Sequence, residues 1–266
     1  QLLASGFELA LRRYDAPAVT REQLHRVHDP RYVEGLFALS PTSGLHWLDR
    51  DTAMNPHTLD AARHAAGAVV AAVDLVLGGE ATCAFCAVRP PGHHAERAAA
   101  MGCCFFNNIA VGAAHALTHY GLQRIAIVDF DVHHGNGTQD LLWDERRTLF
   151  ISSHQMPLYP GTGHPRETGA HQNVMNVPLA PMTGGAEMRR LYEAEVIPAP
   201  RWWEHGYKSR VGDFGQLIDE MPTGTLPDEP EFESAAWWRD HGIRAGAHPE
   251  SGMPILGPGT GGEPAL

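Results

Sequence analysis

The stretch IAIVDFDVHHGNGTQD, residues 125–140, joins an apolar run to a dense group of polar side chains. Its first four residues are aliphatic or alanine, which is typical of a buried β-strand. The polar residues that follow would each cost roughly several kcal/mol if they were buried without partners. They are Asp129, Asp131, His133 and His134. The pattern leaves two interpretations open: the strand ends at a metal site, or it ends in hydrogen-bonded polar side chains.

A metal site in this stretch would use Asp131 and His133 first. If the strand continues, residues two apart lie on one face, so these two side chains converge. A carboxylate oxygen and an imidazole nitrogen suit Zn²⁺ or Fe²⁺. A hydrolytic zinc has three protein ligands and one open position, so we expect a third ligand from elsewhere in the chain. Asp129 shares that face and is a candidate for an outer-sphere or alkali-cation role, whereas His134 points away.

A second polar segment, RPPGHHAER at residues 89–97, carries adjacent histidines after a rigid Pro-Pro-Gly turn. His93 and His94 are suited to act as a base and an acid over one substrate. A carboxylate partner fixes the tautomer of a histidine and raises its basicity. An amide partner leaves the pKa lower, which suits the histidine to carry a proton to a leaving amine. Asp129 and Asn136 are the candidates for these two unlike partners.

The rest of the chain to about residue 198 alternates helical and strand patterns. This alternation predicts right-handed βαβ crossovers, a mostly parallel sheet and therefore an α/β fold. Ligands bind at the carboxyl ends of parallel strands, where both polar segments fall. We expect Thr58 to cap the helix of 55–79. The predicted order is two short helices within 21–39 around Asp29-Pro30, a helix within 55–79, a strand at 81–88, a helix within 107–121, strands at 123–132 and 148–154, and a helix within 184–199.

The composition excludes several classes of protein. The chain has 266 residues, of which 43% are hydrophobic and 19% charged, as in an ordinary globular protein with a sizeable core. A formal net charge of -11 disfavours direct nucleic-acid binding, which requires clustered Lys and Arg. No apolar run reaches transmembrane length, and the first residues lack the basic region of a signal peptide. We therefore expect a cytoplasmic protein with no membrane partner.

Other potential metal ligands have simpler interpretations. A CxxC pair lies in a strand-like segment, where residues three apart point to opposite faces, so we expect small buried thiols rather than a zinc site. Two histidines four apart on a predicted helix resemble a ligand pair, but no Glu follows the first as in HExxH, which favours ordinary helix residues. The residues concerned are Cys83, Cys86, Cys103, Cys104, His115 and His119.

Five ordered motifs between about residues 20 and 198 carry a resemblance. They are RPPGHHA, GCCFFNNIAVG, VDFDVHHGNGTQ, ISSHQMPLYPGTG and NVMNVPL. In this order and spacing they resemble the histone deacetylase family, including its bacterial acetylpolyamine amidohydrolase relatives. The resemblance implies an arginase/deacetylase-like, three-layer α/β fold with a central, mostly parallel sheet and a zinc-dependent amidohydrolase site.

The resemblance also implies two ion sites. Asp131 and His133 match zinc ligands of the family. Four residues match positions around a structural potassium ion: Asp129, Asp131, His133 and Ser152. The cofactors implied are therefore Zn²⁺, with K⁺ as a structural ion.

The catalytic residues follow from the same motifs. His93 and His94 match the tandem catalytic histidines of the family, with Asp129 and Asn136 as their partners. The walls of the acyl-lysine tunnel would include Cys103 and Tyr159. At Cys103 the family usually has an aromatic residue, so one tunnel wall is thinner here.

Two family features have no counterpart in the sequence, namely the Asp that serves as third zinc ligand and the Tyr that stabilises the oxyanion. The resemblance stops near Pro198. We therefore expect a deacetylase-like domain at 1–199, truncated in its sheet, and a Gly- and Pro-rich tail at 200–266 that is loosely packed. A shifted reading frame, a gene fragment and a divergent tail all account for the change. An exposed sheet edge would favour a homo-oligomer.

The predicted function is a zinc-dependent amidohydrolase that removes acyl groups from an acetylated lysine or an acetylated polyamine. The alternative is a catalytically impaired deacetylase-like protein, because two ligands hold zinc weakly. A third ligand beside Asp131 and His133 would discriminate the two, and Asp213 and Asp219 are the nearest downstream candidates. A thiol or metal-storage role for the cysteines is a third, less favoured interpretation.

Overall fold

The structure is a computed structural model that describes Gly6, residues 11–204, 243–247 and 254–258. Contacts divide the chain into two compact units, residues 1–214 and residues 215–266. The first unit carries both polar segments identified from the sequence.

Two short helices open the described part of the first unit. Helix α1, Arg21–His25, begins with a capping box in which the Thr20 hydroxyl accepts from the Gln23 amide. Helix α2, Pro30–Leu39, begins after Asp29, whose carboxylate accepts a backbone N–H of the first turn. The two helices predicted on either side of Asp29-Pro30 are confirmed. The sequence could predict them because a capping residue and a proline both act on the neighbouring backbone.

A small hairpin follows. Strands β1, His46–Trp47, and β2, Ala53–Met54, pair antiparallel. Met54 and Thr52 are fully buried, so the hairpin is anchored on the first unit.

Helices α3, Thr58–Leu77, and α4, Asn108–His119, pack against each other and line the largest apolar cluster. Both were predicted. Thr58 does not cap α3, however. His57 occupies the cap position without a side-chain bond, and the Thr58 hydroxyl instead bonds the backbone and side chain of Asn55. An Asn placed three residues earlier competes for the same hydroxyl.

The sheet of this unit has three parallel strands in the order β3-β4-β5. The strands are β3, Ile125–Asp129, β4, Thr148–Gln155, and β5, Val174–Leu179. Helix α5, Asn136–Leu142, connects the first two. Strand β5 was not predicted from the sequence as a strand. The parallel order confirms the predicted α/β class.

The central strand β4 is buried along nearly its whole length, and helices cover both faces of the sheet. On one face Ile127, Phe150 and Val174 pack with Ala113 of α4 and Leu142 of α5. The sheet is therefore the middle of three layers.

On the other face Ile151 and Val177 pack with Val196 and Ala199 from the last helical stretch. That stretch was predicted as one helix, and a π-helical turn interrupts it. Its segments are α6, Gly185–Leu191, the π-helical segment Tyr192–Val196, and α7, Ala199–Glu204.

Residues 81–88 do not form the predicted strand. Phe85 is 80% exposed, and β3 is the edge strand of the three-stranded sheet. Alternation of side chains predicts an extended conformation, but a strand also requires a partner for its backbone groups. The second predicted strand also ends earlier than expected, at Asp129 rather than residue 132, and Phe130 beyond it is 74% exposed.

The second unit contributes strands β6, Ile243–Ala247, and β7, Pro254–Pro258, which pair antiparallel. Neither was predicted from the sequence. The sequence also predicts a short helix near residues 231–241. This helix and the expected loose packing of the tail lie outside the described residues. Among the helices that the structure describes, none combines the length and the apolar character needed to cross a membrane.

We predict opposite effects for two glycine substitutions on helices. A side chain at Gly67 of α3 would collide with the carbonyl oxygen of Pro17, whereas Gly35 of α2 has open space around it. Gly67→Ala should therefore lower the free energy of unfolding by about 1–3 kcal/mol through overpacking. Gly35→Ala should raise it by about 0.5–1 kcal/mol, because alanine favours the helix. Urea unfolding measures both, and equal shifts would contradict the predicted close approach of α3 to Pro17.

Candidate active site

The carboxyl end of β3 meets the loop that carries the tandem histidines. His93 Nδ1 lies 2.9 Å from Oδ2 of Asp129, the last residue of β3. Both side chains are largely buried, at 17% and 11% exposure, so the contact is well shielded from water. The other nitrogen of His93, Nε2, lies 3.9 Å from Asp131 Oδ1. The carboxylate thus holds the His93 ring in one orientation.

The second histidine has an amide partner. His94 Nδ1 lies 2.7 Å from Oδ1 of Asn136, the first residue of α5. The Asn136 amide nitrogen donates to Glu96 Oε1 at 2.7 Å. Glu96 therefore fixes which end of the Asn136 amide faces His94. Because that end is the oxygen, His94 donates from Nδ1, and the neutral ring has no proton on Nε2. Glu96 belongs to the RPPGHHAER segment, but sequence reasoning gave it no role.

The unlike partners separate the pKa values of the two histidines. Burial lowers the pKa of His93, but the hydrogen bond and charge of Asp129, helped by Asp131, outweigh burial, so the pKa is raised. Burial also lowers the pKa of His94, and the neighbouring His93 lowers it further. The hydrogen bond to Asn136 offsets only part of this, so the His94 pKa is lowered. The two ring centroids are only 4.0 Å apart, so the charge on His93 acts directly on His94.

Asp131 and His133 converge, but a loop brings them together rather than a strand face. Strand β3 has already ended at Asp129, and the Asp129 carboxylate accepts the Asp131 N–H. Asp131 Oδ1 then accepts the His133 N–H at 2.8 Å and lies 3.2 Å from His133 Nδ1. Two ligands of one zinc ion, each about 2.0–2.2 Å from it, are roughly 3.3 Å apart, so the pair fits a shared divalent cation. Among the described residues, no third His, Cys, Asp or Glu completes a ligand group with this pair.

Tyr159 lies beside this cluster. Its ring meets the His94 and His133 rings edge-on, with centroids 5.1 and 5.9 Å away. Burial raises the pKa of Tyr159 to about 12, with further contributions from Asp51 and Asp49, so the phenol stays protonated at neutral pH.

Cys103 lies near the same rim. Its amide donates to Thr52 and its thiol to the carbonyl of Asp51. The preceding Gly102 has φ +56° and packs directly on the His94 ring, where a side chain would overlap it. The structure therefore brings the residue before Cys103 against one of the tandem histidines, although it does not test the predicted tunnel role of Cys103.

Ser152 is fully buried on β4, directly across from Asp129 in the register. Its hydroxyl lies 3.1 Å from His154 Nδ1. The potassium site assigned to Ser152 with Asp129, Asp131 and His133 stays a prediction. His134 faces away from the cluster and is buried, bonded to Thr162 and Gln139.

The cysteines follow the sequence prediction only in part. All four are free thiols. Cys104 is buried, but Cys83 and Cys103 are exposed, so the expectation of four buried thiols is wrong. Burial was inferred from the usual preference of free cysteines for the interior, and Cys83 lies in residues 81–88, which do not form the predicted strand. In the described part of the chain no cysteine joins a three-ligand group.

Comparison with known proteins gives the class to which this fold and site belong. Residues 1–205 match the sequence profile of the histone deacetylase domain. The chain belongs to the histone deacetylase family.

Individual relatives agree with that assignment. A probable deacetylase of Archaeoglobus fulgidus is 43% identical over 166 residues, which are 61% of this chain and 45% of that protein. A histone deacetylase-like amidohydrolase of Pseudomonas aeruginosa is 40% identical over 199 residues, 73% of this chain and 52% of that protein. The crystal structure of the HDA15 HD domain superposes with a TM-score of 0.71 at 32% identity, over 76% of this chain and 58% of that one. The chain spans about half the length of the curated relatives it matches.

We predict that Asp129→Asn lowers the pKa of His93 below the ordinary histidine value. The substitution removes the charge that raises the pKa, while the burial that lowers it remains. Titration of the His93 ring signals by NMR measures the shift, with the exposed Asp60→Asn on α3 as the matched control. A His93 pKa that stays raised in Asp129→Asn would contradict the assigned pairing.

Proposed function

We propose that this chain carries the amidohydrolase site of a deacetylase that removes acetyl groups from lysine side chains or polyamines. The observation that supports it is the pair of unlike histidines facing Asp131 and His133. His93 is bonded to a carboxylate and His94 to an amide. Such a pair supplies a proton donor and a proton acceptor over the same substrate.

We assign the metal of this site to Asp131 and His133. Their donor atoms, a carboxylate oxygen and an imidazole nitrogen 3.2 Å apart, fit a zinc ion. The chemistry that zinc supplies at such a site is polarisation of the amide carbonyl and acidification of a water molecule. The described residues offer two ligands here, and Asp213 and Asp219 lie outside the described residues.

The tandem histidines divide the proton transfers between them. His94 has the lowered pKa and is neutral at pH 7, so its free Nε2 can accept a proton from the attacking water. His93 has the raised pKa and stays protonated to higher pH, since the Asp129 carboxylate compensates the positive charge of its ring. The pair can then return a proton to the departing amine, which completes hydrolysis of the amide.

Tyr159 is the candidate wall for the acyl chain. Its ring stands at 86° to the His94 ring and at 85° to the His133 ring, so its edge faces both histidines. We assign Cys103 to another part of this wall, where a small thiol leaves more space than an aromatic ring. This would admit acyl groups or amines of broader shape than a two-walled aromatic tunnel admits.

A second candidate function is binding of acetylated ligands with little turnover. The observation that favours it is that Asp131 and His133 stand as a pair within residues 11–204, without a third ligand. A two-ligand site holds zinc more weakly than the three-ligand sites of hydrolytic enzymes. The domain limits at 1–199 and 200–266, a cytoplasmic location and a homo-oligomer stay predictions.

We predict that His94→Ala lowers kcat/KM for an acetyl-lysine peptide by at least about 100-fold, because it removes the proton acceptor. Asp131→Ala and His133→Ala should abolish hydrolysis, since each removes a zinc ligand. A fluorogenic acetyl-lysine peptide and N-acetylputrescine, assayed with added zinc, test both substrate classes.

The matched control for these substitutions is His57→Ala, which changes an exposed histidine at the start of α3. It should leave the rate unchanged. A wild-type chain that binds the peptide but hydrolyses neither substrate would favour the binding function. Hydrolysis that survives Asp131→Ala would overturn the assignment of the metal.

A further inference from the structure

A second group of metal-ligand side chains lies on helices α3 and α4, outside the catalytic cluster. Asp74 is in the last turn of α3, and His115 and His119 are one turn apart on α4. One potential ligand atom from each residue lies within 4.8 Å of the other two. Among the residues that the structure describes, this is the one such group of three.

The contacts of this group hold a carboxylate beside an imidazole. His115 Nε2 lies 2.7 Å from Asp74 Oδ1, and the His115 side chain is 8% exposed. The Tyr120 hydroxyl donates to the same carboxylate oxygen at 3.0 Å. The Tyr120 hydroxyl therefore orients the Asp74 carboxylate before any ion binds. Residues in the outer sphere of metal sites orient the ligands in the same way.

His119 completes the group from the solvent side. Its ring is stacked on that of His115, with centroids 4.9 Å apart and an angle of 11° between the planes. Within the described chain, His119 has ring contacts to His115 and Tyr120 but no hydrogen bond or ion pair. Both of its ring nitrogens are thus available to a ligand.

We propose that Asp74, His115 and His119 form a second divalent-metal site that joins α3 to α4. Two imidazoles and one carboxylate suit Zn²⁺, Ni²⁺ or Cu²⁺, whereas Mg²⁺ and Ca²⁺ prefer oxygen ligands throughout. Three protein ligands leave a position for water, and the exposure of His119 gives the ion a route from solvent. The site rests on different residues from the proposed amidohydrolase site and does not depend on it.

Arg26 sets the strength of this site. Its Nη1 lies 3.4 Å from His115 Nδ1. A metal at Nε2 replaces the proton shared with Asp74 and requires a proton on Nδ1, which then no longer accepts from Arg26. The guanidinium also repels a cation, so its removal should strengthen binding. If His115 were only a hydrogen-bonded helix residue, zinc binding would not depend on Arg26.

Zinc affinity, measured by competition with a chromophoric chelator, tests the proposal on the full chain carrying Asp131→Ala and His133→Ala. This background removes the pair at the candidate active site. Adding His119→Ala or Asp74→Asn should weaken zinc binding at least about tenfold, whereas Arg26→Gln should tighten it. Zinc should raise the melting temperature of the background protein and not that of its His119→Ala variant.

His57→Ala controls for adventitious zinc, since the chain has 17 histidines. It should leave the affinity unchanged. If the background variant does not fold, the wild-type chain and its exposed His119→Ala variant can be compared directly, and the variant should bind one equivalent fewer. Equal affinity and stoichiometry with and without His119 would overturn the proposal.

Discussion

The parallel register of β3 and β4 is the constraint on which the site depends. Strand β4 is buried along nearly its whole length, so its neighbours must align with it or leave its backbone unpaired. The register pairs Asp129 of β3 with Ser152 of β4, and Ser152 with Asn176 of β5. This brings the carboxyl ends of all three strands to one edge of the sheet. A carboxylate at this shielded edge requires partners, and His93 and the Asp131 amide supply them.

The chemistry of the site follows from how each histidine is held. His93 and His94 are adjacent in sequence but have unlike hydrogen-bond partners and unlike neighbouring charges, and their pKa values move in opposite directions. Glu96 orients the Asn136 amide, and the Asn136 amide sets the tautomer of His94. Glu96 is only two positions after His94 in the sequence, yet it acts through Asn136 on helix α5. Positioning in this site therefore extends two residues beyond the histidine that would touch substrate, through Asn136 to Glu96.

Much of the fold could be predicted from local patterns, and the errors in the strands share one cause. Apolar periodicity and local turn signals predicted α1 to α4, the last helical stretch and two of the sheet strands, because these signals act within a few residues. Helix α5 at Asn136–Leu142 was not predicted. The strand at 81–88 was wrong, and β5 at Val174–Leu179 was missed as a strand. Whether an extended segment becomes a strand depends on a distant backbone partner, which no local pattern encodes.

The sequence by itself determined the family motifs, the tandem histidines with their candidate partners Asp129 and Asn136, and the pair Asp131 and His133. Only the tertiary structure decided how these groups act, because burial and the distance between charges set each pKa. The group on α3 and α4 illustrates the same limit. His115 and His119 are one turn apart in any helix, but Asp74 lies 41 residues before His115 and reaches it only because two helices pack together.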